Sequence, residues 1–305
     1  MTALGIDAID FPGDPRREDP AVAAAMDDAL ARTGFMALAT PGLDAAGTAR
    51  VRAAAASFFS RPLEEKQRFA YRDTSLNFGY QWVGTEALDP AAPPDLKESF
   101  TMRDLARHAA DETLFPDPEF RAAALELHAR LTEVAHAVMH HLALNLEVER
   151  DFFPRGHSGA NMTLRFLHYP APASRPEQAT GQLGAGAHTD YGSFTLLLQD
   201  DAGGLQLRTG EAWEDVPAEP DRVLVNTGDL MAHWSNDRYR STWHRVQPVA
   251  RERFSIAFFV DPDDDTEVRC LPSCTRGKPA AYADTTAGAH ILGKLDASQP
   301  AARGA

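Results

Sequence analysis

The sequence predicts a mainly β protein, an antiparallel sandwich or barrel with flanking helices, preceded by a helical region. Two observations carry this. From about residue 160, short runs rich in β-branched, aromatic and leucine residues recur between Gly, Pro, Asn and Asp, with no helical pattern separating them. Before residue 155, long Ala-rich stretches place apolar residues at three and four spacing instead.

The elements follow in order. "DPAVAAAMDDALARTG" begins at an acid and a proline and stops at Gly34, as a helix does. "FMALAT" then reads as a strand and "LDAAGTARVRAAAASFFSRP" as a second helix closed by Pro62. "DPEFRAAALELHARLTEVAHAVMHHLALNL" is a third, long helix. The strands are "NMTLRFLHY", "SFTLLLQ", "GLQLRT", "DRVLVNTG", "STWHRVQPV" and "RFSIAFFV". The organisation expected is an N-terminal helix and strand region over 1–115, a long helix over 116–155 packed on the barrel, a β core over 156–295 and a flexible tail over 296–305.

Composition excludes several functions. A chain of 305 residues with 44% hydrophobic residues buries a substantial core. Its net charge of −14 opposes general affinity for nucleic acid or anionic membrane. There is no apolar run of membrane-spanning length, and the first thirty residues lack signal-peptide character, so a cytoplasmic location is expected. Cys270 and Cys274 are too few for a disulfide framework and read as reduced thiols. "GQLGAG" leads into a strand rather than a helix, so it is no phosphate loop, and "HAVMH" lacks the glutamate of a zinc protease.

The chemistry gathers around "GAHTDYGSF". His188 and Asp190, two apart at the start of a strand, project to one face, whereas Thr189 points away. The pair alone proves little, because a histidine two residues before an acid should arise by chance roughly once or twice in such a composition. Two histidines and one carboxylate would form a facial site with open positions on Fe(II). The third ligand is His233 or His244, and His244, inside the β-like run "STWHRV", is favoured. In "RFSIAFFV", alternation puts Arg253, Ser255, Ala257 and Phe259 on one face. An arginine there is costly to bury without an anion, and a carboxylate suits its paired N–H groups.

With those residues in order, the chain resembles the isopenicillin N synthase-like branch of the non-haem Fe(II) and 2-oxoglutarate-dependent oxygenases. "HTD", "YRSTWHRV" and "RFSIAFF" carry the resemblance, and "GYQWVGTEALDPAAPPDLKESF" and "ARTGFMALATPGL" extend it over most of the chain. It implies a double-stranded β-helix, a jelly-roll barrel with helices outside. It also implies Fe(II) on His188, Asp190 and His244, and 2-oxoglutarate on Arg253, Ser255 and Tyr169. Fe(II), one aspartate, dianionic 2-oxoglutarate and one arginine then cancel in formal charge. Dioxygen is the second cosubstrate, and hydroxylation, desaturation or ring closure of a small molecule the reaction, with succinate and carbon dioxide released.

One departure concerns Leu167, which stands where plant members often have an asparagine at the iron-proximal end of the cosubstrate. It leaves open an oxidase in which the arginine and serine bind the substrate's own carboxylate without 2-oxoglutarate. A non-catalytic barrel that only binds ligand is the other rival, and the intact ligand set argues against it. Asn77, Tyr80 and Phe100 are the candidate substrate-pocket residues. The partner expected is a small-molecule substrate, with no nucleic acid or membrane, and the sequence sets no oligomeric state.

Overall fold

The computed structural model describes residues 5–11, 18–73, 75–89, 92–175 and 177–298. The first half forms β1 (Ala8–Asp10), α1 (Pro20–Thr33), β2 (Phe35–Ala39), α2 (Ala49–Phe59), α3 (Leu63–Gln67), β3 (Phe78–Gln81), β4 (Glu98–Arg103), α4 (Leu105–His108), α5 (Pro118–Asn145) and α6 (Phe152–Arg155). The second half forms β5 (Thr163–Tyr169), β6 (Ala185–His188), β7 (Phe194–Gln199), β8 (Leu205–Thr209), β9 (Ala212–Asp215), β10 (Val223–Thr227), α7 (Asp229–Trp234), β11 (His244–Val246), β12 (Arg253–Val260), β13 (Glu267–Val268), β14 (Thr285–Thr286) and α8 (Ala287–Ser298).

Local chemistry sets the boundaries. Asp19 caps α1 by accepting from the Ala21 N–H at 2.9 Å, with Pro20 at the first helical position. Gly34 ends the helix at φ 73°, a left-handed conformation that glycine adopts without a Cβ penalty. Asp117 caps α5 in the same way through the Phe120 N–H at 2.8 Å. The second helix starts at Ala49, later than its sequence pattern suggests, because residues 41–48 turn.

Two main sheets result, one of eight strands in the order β1-β2-β10-β7-β12-β5-β4-β3 and one of four in the order β6-β11-β8-β9, beside a two-stranded ribbon of β13 and β14. All pairings in them are antiparallel except β1 with β2. Four strands of the large sheet, β1 to β4, come from the first 115 residues, so the expected N-terminal region is part of the barrel wall. The tail expected over 296–305 lies outside the described residues from position 299, and its first three positions continue α8.

Alternation along each strand sorts two cores. Phe166, Leu196, Leu198, Val225, Ile256 and Phe258 face the helices and join the side chains of α1, α2 and α5. Phe35, Leu167, Tyr169, Leu224 and Ala257 of the large sheet face inward and meet Ala185, Leu205, Leu207 and Val246 of the small one. That inner layer holds the site. No helix among the described residues is long and apolar enough to cross a membrane.

Candidate active site

The small sheet brings the two histidines together. β6 and β11 pair antiparallel, and His188 and His244 are direct cross-strand partners with ring centroids 4.2 Å apart. Asp190 follows β6 in the turn leading to β7. Its Oδ1 lies 3.8 Å from His188 Nε2 and 3.7 Å from His244 Nε2. One ligand atom from each of the three falls within 4.8 Å of the others, a spacing able to hold a metal ion. His233 is elsewhere, buried and stacked on Tyr282 with ring centroids 4.8 Å apart.

Each of these three side chains is oriented from behind. His188 Nδ1 lies 2.8 Å from the Gly186 carbonyl and His244 Nδ1 lies 3.1 Å from the Thr242 carbonyl. Those contacts place the ring protons on Nδ1 and leave the Nε2 lone pairs for a metal. Asp190 Oδ2 accepts from Thr195 Oγ1 at 2.5 Å and from Asn226 Nδ2 at 2.6 Å, which leaves Oδ1 facing the histidines. Burial, joined by repulsion from His244, lowers the His188 imidazole to about 4, so it is the neutral ligand form near pH 7. Burial works to raise the Asp190 carboxyl, but His244, His188 and its two hydrogen bonds hold it below the usual carboxylate range. Two nitrogens and a carboxylate oxygen clustered in this way suit Fe(II) with positions left open.

Arg253 supplies an independent sign of a bound anion. It is 1% exposed. Its Nε donates to the Gly203 carbonyl at 2.9 Å, one terminal nitrogen to Ser255 Oγ at 3.0 Å and the other to Gln199 Oε1 at 3.5 Å. Its guanidinium stacks on Tyr169, 4.6 Å from the ring centroid. Every acceptor is neutral, so among the described residues a buried positive charge stands without a countercharge. A cosubstrate carboxylate on this group would supply it.

A second polar wall adjoins the histidines. Asp95 accepts the Gly186 N–H at 2.8 Å, so the backbone that orients His188 is itself anchored. Asp95 pairs with Lys97, which pairs with Glu86 at 2.9 Å, and Glu86 accepts from Arg165 at 2.7 Å. Against burial, Arg165 and Lys97 hold Glu86 well below the usual carboxylate range.

The sequence-predicted pocket residues divide. Asn77, at φ 47°, accepts from the Tyr71 hydroxyl at 3.1 Å and, through its carbonyl, from the Arg103 N–H at 3.2 Å. Tyr80 and Phe100 face the helices instead. Tyr80 bonds Glu98 and Phe100 packs edge-on against Phe58 at 5.2 Å, so both belong to the outer core and not to the pocket. Sequence reasoning misses Thr195, Asn226, Gln199 and Arg165. The signal that could find them is a polar residue at an inward position of an otherwise apolar strand.

Known proteins bear on this geometry. Residues 160–262 match the family model of the 2OG-Fe(II) oxygenase superfamily, and residues 6–119 match that of the non-haem dioxygenase in morphine synthesis N-terminal region. The chain belongs to the 2OG-Fe(II) oxygenase superfamily. It is 36% identical over 258 residues to the 2-oxoglutarate-Fe(II) type oxidoreductase hxnY of Emericella nidulans, covering 78% of this chain and 73% of that one. It is also 30% identical to the proline hydroxylase buaE of Petromyces alliaceus, over 92% of this chain and 94% of that one. Among solved structures, a full-length Neurospora crassa protein in complex with alpha-KG matches at TM-score 0.82 and 28% identity, over 97% of both chains. A 2OG-Fe(II) oxygenase family protein of Caulobacter crescentus matches at TM-score 0.81 and 29% identity, over 98% and 100% of the chains. This member of the superfamily is therefore a jelly-roll oxygenase that depends on Fe(II), 2-oxoglutarate and dioxygen.

Proposed function

We propose that His188, Asp190 and His244 hold the Fe(II), and that Arg253, Ser255 and Tyr169 seat the distal carboxylate of 2-oxoglutarate, for oxidation of a small-molecule substrate. The observation that carries this is the fully buried Arg253, without a countercharge among the described residues, on the same inward face that meets the candidate metal group. Bound Fe(II) supplies dioxygen activation coupled to decarboxylation of 2-oxoglutarate to succinate, with hydroxylation of substrate as the expected outcome.

The protein's own part is positional. Gly186 and Thr242 carbonyls fix the imidazole rings, and Thr195 and Asn226 fix the carboxylate. Ser255 and Gln199 spread the Arg253 guanidinium for paired donation to a carboxylate, while Tyr169 covers its face. The apolar inner layer around Phe35, Leu167 and Val246 limits water around the reacting centre.

The test is succinate release from 2-oxoglutarate. His188→Ala should abolish it, and Arg253→Lys should weaken 2-oxoglutarate binding by about tenfold or more, because an ammonium cannot reproduce the planar fork. Undiminished succinate release by His188→Ala would overturn the assignment.

A further inference from the structure

The inward face of β4 and β5 carries donors that neither iron nor 2-oxoglutarate uses in the reading above, on which the following rests. Alternation turns Thr101, Arg103 and Arg165 to the side shared with Leu167 and Tyr169, and Thr101 and Arg165 are direct cross-strand partners. One terminal nitrogen of Arg165 serves three acceptors: Gln81 Oε1 at 3.1 Å, Glu86 Oε2 at 2.7 Å and Ser99 Oγ at 2.8 Å. Among the described residues its Nε is buried without a partner, and so, on the adjoining strand, is Thr101 Oγ1. On the other flank of Arg165 stands Ala257, a small side chain.

Two orphaned buried donors side by side are costly, and an acceptor between them removes the cost. Charge says which acceptor. Lys97 and Arg165 are balanced by Glu86 and Asp95. Arg103 is not: among the described residues it has no carboxylate at ion-pair distance, though its charge acts on both Tyr71 and Asp261. Asp261 instead leans over the turn at Gly192. The wall thus keeps one positive charge in excess, beside two unfilled donors, next to the Asp95 carboxylate that anchors the His188 strand.

We propose that the substrate of this oxygenase is a small carboxylic acid whose carboxylate is held by Arg103, Arg165 Nε and Thr101 Oγ1. These are substrate-positioning residues, distinct from Arg253, which serves 2-oxoglutarate.

The experiment uses the full chain with Fe(II) and 2-oxoglutarate, and reads succinate release with benzoate, phenylacetate, cinnamate and hexanoate, each beside its primary amide. An acid should stimulate release at least about tenfold more than its amide, the loss expected when a charge-assisted contact is removed. Arg103→Gln and Thr101→Val should each raise the KM of the stimulating acid with little change in kcat. Calorimetric titration of 2-oxoglutarate into the Mn(II)-loaded variants should give the wild-type affinity. Arg165→Gln leaves Glu86 and Lys97 mispaired, so the other two variants carry the test. Amides that match or exceed their acids, a panel in which no acid stimulates, or an unchanged KM in both variants would overturn the proposal. Failure of wild-type protein to bind 2-oxoglutarate would strike the underlying reading instead.

Discussion

Asp190 presents Oδ1 to the histidines because Oδ2 is occupied by Thr195 and Asn226. Removing one of those donors frees the carboxylate to rotate and leaves the other bond to hold it alone. Thr195→Val should therefore lower Mn(II) affinity by about tenfold to a hundredfold in calorimetric titration, with the fold intact. An affinity equal to wild type would show that Asn226 suffices. The reading of "HTD" as the start of a strand is corrected: His188 ends β6 and Asp190 stands in the turn after it. Arg253 and Ser255 are readable because alternation over two residues is a local property of β12. Thr195 and Asn226 are not, because they stand on β7 and β10 of the large sheet. Their meeting with a residue in the turn after β6 is set by how the two sheets pack, which leaves no mark in either segment.

At the scale of elements, the strands of the second half and the helices α1, α2 and α5 follow their sequence patterns, whereas Tyr80 and Phe100 do not serve where expected. The alternation of "ESFTMR" allows either face to be the inner one. The choice is made by α2 and α5, whose Phe58 and Phe120 gather Phe100 into the outer core. A contact between elements also sets a pH limit. His157, just past α6, has Nδ1 2.6 Å from the Phe153 carbonyl and Nε2 2.9 Å from Ser193 Oγ, in the turn after Asp190. Burial lowers this imidazole from 6.5 to about 4. Between those values the unfolded chain binds the proton and the folded one does not, so stability is complete above the upper value and falls as pH drops toward the lower. The loss from this group reaches about 3 kcal/mol. Denaturant unfolding at neutral and acid pH should show His157→Gln losing less stability on acidification than wild type, and parallel losses would refute the account.

For the whole molecule, the jelly roll follows from strands that cannot bury their inner faces alone. The connectivity is the unreadable part: β2 reaches across most of the chain to pair with β10, and a register between distant segments has no local signature. The two packed sheets then hold two buried charge centres, at the candidate metal group and at Arg253, that each favour a bound partner. Ligands that bind only the folded chain stabilise it. Mn(II) with 2-oxoglutarate at about a hundredfold over its Kd should add about 2.7 kcal/mol and raise Tm, and the 2-oxoglutarate part of that gain should vanish in Arg253→Ala. An equal gain in that variant would place 2-oxoglutarate elsewhere.

The glycine that ends α1 reaches further than its position suggests. A methyl group at Gly34 would stand 2.2 Å from the Arg240 carbonyl oxygen and 2.9 Å from Thr242 Oγ1. Thr242 is also tied to the Thr33 carbonyl at 2.8 Å, and its own carbonyl orients His244. Pushing that segment outward moves His244, the proposed third ligand, so Gly34→Ala should cost metal affinity in a protein that still unfolds cooperatively. In genetic terms, the end of the first helix is a place where a single silent-looking methyl can switch off an oxygenase, and a screen for inactive alleles should recover it alongside the ligands themselves.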